Sequence, residues 1–390
     1  MVATILVALL VQQDAPISKS FIFANQQRRN INELFIDISP FLFIEGGFKH
    51  MTKNYFSLQW HITDRCDQRC KHCYIFAGED KSYSPEFDFA TLKQIFFNYL
   101  TTCDRMDKNP SIAITGGDPL LHKDIWKLLH LFKEYNVPFA ILGNPFHLDA
   151  SVAKELKQLG CNTYQMSLDG LEHTHDFIRK PSSYKATLEK IQVLNEAGIK
   201  SAIATTVSKM NIDEIPELVR VAVEYKAKTF GFSRYCPNEK DRDNLVTPLE
   251  YRAFLEKMWE QFTILQNKGT AFILKDHLWK LFLYEKGLFK IEDNSELIMD
   301  GCHCGISHIT ILANGQVYAC RRCESLVGNV LEESLYDIFF GNKMEMYRNF
   351  EDFEACANCE LLRFCRGCPS VTKCATGNFY AKDPQCWKGV

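Results

Sequence analysis

The sequence predicts an α/β fold of parallel βα units followed by a short cysteine-rich segment that holds metal. Three observations carry this. From about residue 55 to 235, an apolar run suited to a strand alternates six times with a stretch apolar at helical spacing. Hydrophobic residues make up 46% and charged residues 24%, a globular composition. Ten of the 16 cysteines lie from Cys302 onward, in close pairs, in a chain of 390 residues that is far too long for a small disulfide scaffold. Reduced, metal-loaded thiols in a cytoplasmic setting are therefore expected. The net charge of −3 gives no support for nucleic-acid binding.

Residues 1–50 show no clear period and read as a poorly defined extension, with a natural domain start at Met51. The opening "MVATILVALLV" is apolar, but it has no basic flank and is too short to span a membrane, so no membrane association is expected. The strand candidates are "FSLQWHIT", "SIAITGG", "FAILGN", "TYQMSLDG", "SAIATTV" and "TFGFSRY". The helix candidates between them are "FATLKQIFFNYL", "DIWKLLHLFKEY", "VAKELKQLG", "ATLEKIQVLNEAG" and "IPELVRVAVEYK". In the last, Ile215, Leu218, Val219, Ala222 and Val223 would face the sheet. Gly160 and Gly198 stand where helices should stop. Right-handed crossovers between such units give either a partial barrel or a doubly wound sheet. Both bind ligands at the carboxyl ends of their strands. The unusual residues fall there: Cys66, Cys70 and Cys73 after the first strand; Gly116, Gly117 and Asp118 after the second; Ser167, Asp169 and Gly170 after the fourth; Arg234 at the end of the sixth. A further helix, "TPLEYRAFLEKMWEQF", leads into a less regular stretch to about residue 300.

"CDQRCKHCY" places three thiols on one tight loop. A structural zinc site takes four closed ligands, whereas three thiolates leave an iron–sulfur cube with one open position. His72 reads as packing rather than as a fourth ligand.

This C-x3-C-x2-C loop after a first strand resembles the hallmark of the radical S-adenosylmethionine superfamily. "TGGDP" resembles the family's Gly-Gly-Glu element for the methionine amino group, with Asp118 one methylene shorter than the usual acid. "SLDG" followed by "HDFIR" is similar to the fourth-strand element of peptide- and protein-modifying members. The resemblance implies a partial (β/α)6 TIM-type barrel over residues 51–240, a helical linker over 241–300 and a small cysteine-rich domain over 301–390. It implies S-adenosylmethionine held by Gly116, Gly117, Asp118, Ser167, Tyr74 and Arg179, beside a 4Fe–4S cluster on Cys66, Cys70 and Cys73. That cofactor pair yields a 5′-deoxyadenosyl radical able to take hydrogen from an unactivated carbon.

The later cysteines resemble the SPASM extension, which follows radical domains acting on peptides and proteins. C-x2-C spacing alone fits zinc equally well; beside the first motif, clusters are expected. The resemblance implies two auxiliary 4Fe–4S clusters with crossed ligands. Cys302, Cys304, Cys320 and Cys368 would hold one, and Cys356, Cys359, Cys365 and Cys386 the other. The linker between Cys365 and Cys368 is shortened to "CRGC", and Cys302 and Cys304 stand unusually close. Cys323 and Cys374 are therefore further candidates. Cys103 and Cys161 read as core, and Cys236 ends the sixth strand near the site.

Sulfatase-activating relatives carry an acidic residue directly after the cysteine matching Cys320, where this chain has Arg321 and Arg322. That resemblance therefore points away from oxidation of cysteine or serine and toward a positive patch for an acidic peptide. The reading is a maturase that modifies a ribosomally made peptide, through a thioether from cysteine sulfur to carbon. The partners implied are the precursor peptide, a separate leader-binding protein, and flavodoxin or ferredoxin as reductant, in an oxygen-sensitive enzyme. The alternatives are a haem or quinone cofactor pathway, sulfatase-type oxidation, and a zinc-stabilised binding module.

Overall fold

The computed structural model describes residues 55–73, 84–238, 241–291, 298 and 300–389. The expectations for residues 1–50, and Tyr74 as a cofactor contact, lie outside these.

All six anticipated strands form: β1 (Tyr55–His61), β2 (Asn109–Thr115), β3 (Phe139–Leu142), β4 (Cys161–Ser167), β5 (Lys200–Val207) and β6 (Thr229–Arg234). They pair parallel and in sequence order. This order settles the choice between architectures. A doubly wound sheet must reverse its strand order at a switch point. With right-handed crossovers, an unreversed order keeps every helix on one side and curls the sheet into a partial barrel.

The helices between the strands are α1 (Phe89–Arg105), α2 (Ile125–Glu134), α3 (Ala150–Leu159), the pair α4 (Glu172–Ile178) and α5 (Ser183–Glu196), and α6 (Ile215–Glu224). Their starts and stops are chemically marked. Asp88 and Asp149 accept hydrogen bonds from Thr91 N and Val152 N at the starts of α1 and α3. Gly160 closes α3 at φ +99°, which a side chain would strain. In α6, Ile215, Leu218, Val219 and Ala222 are buried and Val223 sits at the margin. The Tyr99 hydroxyl on α1 accepts from Ser111 N at 2.8 Å and donates to the Phe56 carbonyl, tying the starts of β1 and β2 together.

The sheet extends beyond the six strands. After α7 (Pro248–Leu265), whose Thr247–Glu250 capping box fixes its start, comes β7 (Ala271–Ile273). It pairs parallel to β6 inside the stretch that the sequence left irregular. After α8 (Leu278–Glu285), β8 (His308–Ile311) pairs parallel to the other side of β1, from Ser57↔His308 to Trp60↔Ile311. Antiparallel β9 (Gln316–Tyr318) and β10 (Leu326–Asn329) complete a ten-stranded sheet ordered β10-β9-β8-β1-β2-β3-β4-β5-β6-β7. Then follow α9 (Leu335–Phe340), α10 (Asn342–Glu345) and α11 (Pro369–Thr376). In the cysteine-rich segment, Ile309, Ile311, Val317, Leu335, Ile338 and Phe339 join the same buried cluster as Phe56, Trp60 and Tyr99. No helix of the described residues is long and apolar enough to cross a membrane.

Candidate functional site

The double glycine after β2 is more than a turn. Gly117 N donates to the Thr63 carbonyl at 2.8 Å, and Asp118 N donates to the Arg65 carbonyl at 2.7 Å. These bonds continue the β1–β2 ladder beyond both strands and fix the root of the cysteine loop. A Cβ on Gly116 would lie 2.2 Å from Thr63 O, and one on Gly117 would lie 2.1 Å from Arg65 O. Only glycine permits that approach.

Asp118 is delivered to a fully buried position. Its Oδ1 accepts from Leu120 N at 3.1 Å, while Oδ2 has no partner. Burial pushes its carboxyl up to about 7. An unpaired buried carboxylate oxygen is costly unless a cationic ligand meets it. Asp67, on the cysteine loop, lies close by: one ligand atom each from Asp67, Asp118 and His147 falls within 4.8 Å of the others.

The cysteine loop is held at several points. Lys71 N donates to Ile178 O at the end of α4, Gln68 Nε2 donates to Ser183 Oγ, and Cys73 N donates to Cys70 O. Donors also point at sulfur. Cys66 Sγ receives Asn144 Nδ2 at 3.3 Å and Gln68 N at 3.4 Å. Arg179 Nη1 lies 3.7 Å from Cys70 Sγ. Burial raises the Cys66 thiol and takes Cys70 to about 11, against the pull of Arg179. Thiols so buried bind metal by giving up their protons, so metal uptake here is coupled to proton release.

Behind the loop, Asp169 is fully buried. It receives Arg179 Nε on Oδ2 and Thr206 N on Oδ1. Burial alone would raise its carboxyl, but Arg179 and the nearby histidines hold it below the usual range. His72 Nε2 is 3.5 Å from the same Oδ2 and 3.5 Å from Arg179 Nη2. Its pKa falls to about 4, through burial first, so the ring is neutral. With Nε2 engaged there, His72 packs behind the loop, as the sequence suggested. Ser167 ends β4, half-buried.

The later thiols form two groups. Cys356, Cys359, Cys365 and Cys386 line one cavity with Arg366, Asp383, Lys388 and three leucines. Gly367 N points at Cys365 Sγ (3.4 Å) and Lys388 Nζ at Cys359 Sγ (3.5 Å). Burial pushes the Cys356 thiol to about 12. The second group surrounds Cys320. The Cys304 thiol lies beside those of Cys302 and Cys320, and Cys320 in turn lies beside Cys323. Ser370 Oγ donates to Cys320 Sγ at 2.9 Å. Cys368 lies 3.7 Å from Arg322 Nη1, and Cys236 pairs with Cys374 beside them. Cys323 thus joins this group, since its Sγ also meets the Ser370 Oγ that donates to Cys320. In "CRGC", Arg366 (φ +61°) and Gly367 (φ +62°) are both left-handed, which turns Cys365 toward one group and leaves Cys368 to the other.

Two sequence expectations change. Arg321 and Arg322 do not form an open positive patch. Both are half-buried: Arg321 Nε donates to the His61 ring, and Arg322 donates to the Arg234 carbonyl and the Cys368 sulfur. Arg234, grouped with the strand-end site residues, is fully buried between Asp276 and Asp383 and serves the framework. Sequence reasoning missed Asn144 and Asp67. Asn144 follows β3 at a carboxyl end, a position that the strand-end rule covers as well. The Tyr164 hydroxyl donates to its carbonyl at 3.0 Å and sets it beside Cys66.

These residues fit the implied cofactors. Three thiols share one loop with donors aimed at sulfur, and a buried carboxylate oxygen waits nearby for a cation. Four further thiols line one cavity, and others crowd a guanidinium.

Comparisons with known proteins agree with this geometry. The model of the radical SAM superfamily matches residues 60–222, and that of an iron–sulfur cluster-binding domain, SPASM, matches residues 302–360. The AdoMet-dependent heme synthase of Methanosarcina barkeri is 25% identical over 84% of this chain and 95% of its own length. The mycofactocin maturase MftC of Mycolicibacterium smegmatis is 26% identical over 85% of this chain and 82% of its own. The crystal structure of Streptococcus suis SuiB bound to the precursor peptide SuiA shares the fold, with a TM-score of 0.64 at 20% identity over 95% of this chain and 88% of that one. The chain belongs to the radical SAM superfamily and carries a SPASM iron–sulfur region behind its partial barrel.

Proposed function

We propose that this radical SAM enzyme oxidises a ribosomally made peptide, joining a cysteine sulfur to a carbon. The observation that carries the cofactor half of the reading is the unpartnered, fully buried Oδ2 of Asp118 beside the Cys66 loop. In this reading Asp118 takes the ammonium of S-adenosylmethionine. Gly116 and Gly117 let the backbone approach, Ser167 and Arg179 line the far side, and Cys66, Cys70 and Cys73 hold the first cluster. When bound, that pair supplies a radical that removes one hydrogen atom from the substrate. Thioether formation removes two hydrogens in all, so one electron and one proton must also leave.

The Cys320 thiol group stands where that electron could go. Arg322, two residues after Cys320, touches the last residue of β6, so this group lies at the same strand ends as the Cys66 loop. Cys302, Cys304, Cys320 and Cys368 would hold one auxiliary cluster, with Cys323 a further candidate, and Cys356, Cys359, Cys365 and Cys386 the other. The relation to the maturase MftC and the shared fold with a precursor-peptide complex support a peptide substrate.

A second reading, oxidation of a tetrapyrrole, is favoured by the relation to a heme synthase over nearly that protein's whole length. Mass spectrometry after anaerobic turnover separates the two. Loss of two hydrogens from the product of a neighbouring small open reading frame is expected. An unchanged peptide together with a consumed iron coproporphyrin would overturn the peptide reading.

A further inference from the structure

Arg322 stands between Cys320 and Cys323, two residues after the first, and its guanidinium is turned inward. Nη1 lies 3.7 Å from Cys368 Sγ, and Nη2 donates to the carbonyl of Arg234. The Cys236 and Cys320 thiols also lie near it, as does the like-charged Arg234. Among the described residues, no carboxylate lies within ion-pair distance of it. The nearest acids are already engaged, since Asp276 and Asp383 both pair with Arg234. A half-buried guanidinium without a carboxylate partner is stabilised by another counter-charge beside it. Among the described residues, the groups placed to provide one are the thiols of Cys368, Cys236 and Cys320, as thiolates.

We propose that Arg322 is the resident counter-ion of the auxiliary cluster held at Cys320 and Cys368, and that it raises that cluster's reduction potential. The inference rests on the proposed ligand reading. Its physics is simple. Reduction adds negative charge to the cluster. A fixed positive charge beside a ligand sulfur stabilises the reduced form more than the oxidised one, and partial shielding from water keeps that difference from being fully screened. Arg322 therefore acts through the cluster and not on the substrate. It makes this centre a better acceptor for the electron that oxidation must remove. It also accounts for a basic residue inside the array that is not exposed for an acidic peptide.

The test is EPR-monitored potentiometry on the anaerobically reconstituted enzyme, comparing the native chain with Arg322→Gln and Arg322→Lys. The expected result is a negative shift of one auxiliary midpoint in Arg322→Gln, its substantial recovery in Arg322→Lys, and an unmoved midpoint for the cluster at Cys66, Cys70 and Cys73. If Arg322→Gln instead loses about four irons while Arg322→Lys keeps them, the charge is needed to retain the cluster, which also supports the proposal. Unchanged midpoints with full iron overturn it, as does equal iron loss in both variants, which marks a packing role. An unmoved potential with a raised KM for substrate would make Arg322 a substrate-anion contact. If the native enzyme holds only the iron of the first site, the ligand reading itself fails, and that outcome is distinct from the others.

Discussion

Arg234 Nη1 lies 2.7 Å from Asp383 Oδ1, with both side chains excluded from water. The pair joins the last residue of β6 to the segment just before Cys386. Asp383 Oδ2 also accepts from Cys368 N at 2.7 Å, and Arg234 Nε holds Asp276 on its other side. One buried ionic knot thus fixes the "CRGC" turn to the end of the barrel.

Asp383→Asn leaves Arg234 paired with Asp276 but weakens the buried charge-assisted hydrogen bonds that Asp383 makes with Arg234 and Cys368 N. It is expected to cost about 1.5–3 kcal/mol. Anaerobic denaturant unfolding should read this as a lower midpoint with an unchanged slope. The same variant should lose auxiliary iron while keeping the iron at Cys66, Cys70 and Cys73. Equal stability would show that the pair contributes nothing to the fold.

Asp118 gives a pH dependence with a definite sign. Burial sets its carboxyl near pH 7, so lower pH protonates it and removes the charge that meets the ammonium. Affinity for S-adenosylmethionine should rise about tenfold per pH unit below about pH 7 and then level off. Equilibrium dialysis across pH 5.5–8 measures this. Asp118→Asn should bind weakly and without that slope.

Cys70→Ala should abolish 5′-deoxyadenosine formation and leave about eight of about twelve irons, the auxiliary share. Product chromatography and iron analysis check both halves. Cys359→Ala should do the reverse to iron, sparing the first site.

Gly117→Ala forces a methyl to within 2.1 Å of Arg65 O, in backbone that has little room to give. A destabilisation of about 1–3 kcal/mol is expected from overpacking alone. The larger effect should fall on cofactor cleavage, because the shift displaces the root of the cysteine loop. Comparable 5′-deoxyadenosine yields from the variant and the native enzyme would contradict this.

The six barrel strands were legible because each is an apolar run with turn chemistry at its ends, and that signal is local. Strand β7 was not. Three residues, Ala271–Ile273, are too short for a period and owe their conformation to the edge of β6. Strand β8 carries an apolar "HITI", but nothing in those residues says that β1 will be its neighbour. At the site, the three-cysteine loop and the double glycine could be read from spacing. The inward turn of Arg322 and the engagement of Arg234 could not. Charge in a sequence has no direction, and only the fold shows whether a guanidinium faces solvent, a carboxylate or sulfur.

The pairing of β8 with β1 also governs how the chain is made. Ser57 and His308 are register partners on paired strands, with Ser57 N donating to the Ser307 carbonyl at 2.8 Å, and they are separated by about 250 residues of chain, a costly loop to close. During synthesis the first strand emerges long before its partner on that side. Until then it presents a bare edge to other chains. Cutting the protein between its two recognisable sequence families would leave that edge open for good. The two families are separate in sequence and a single unit in folding.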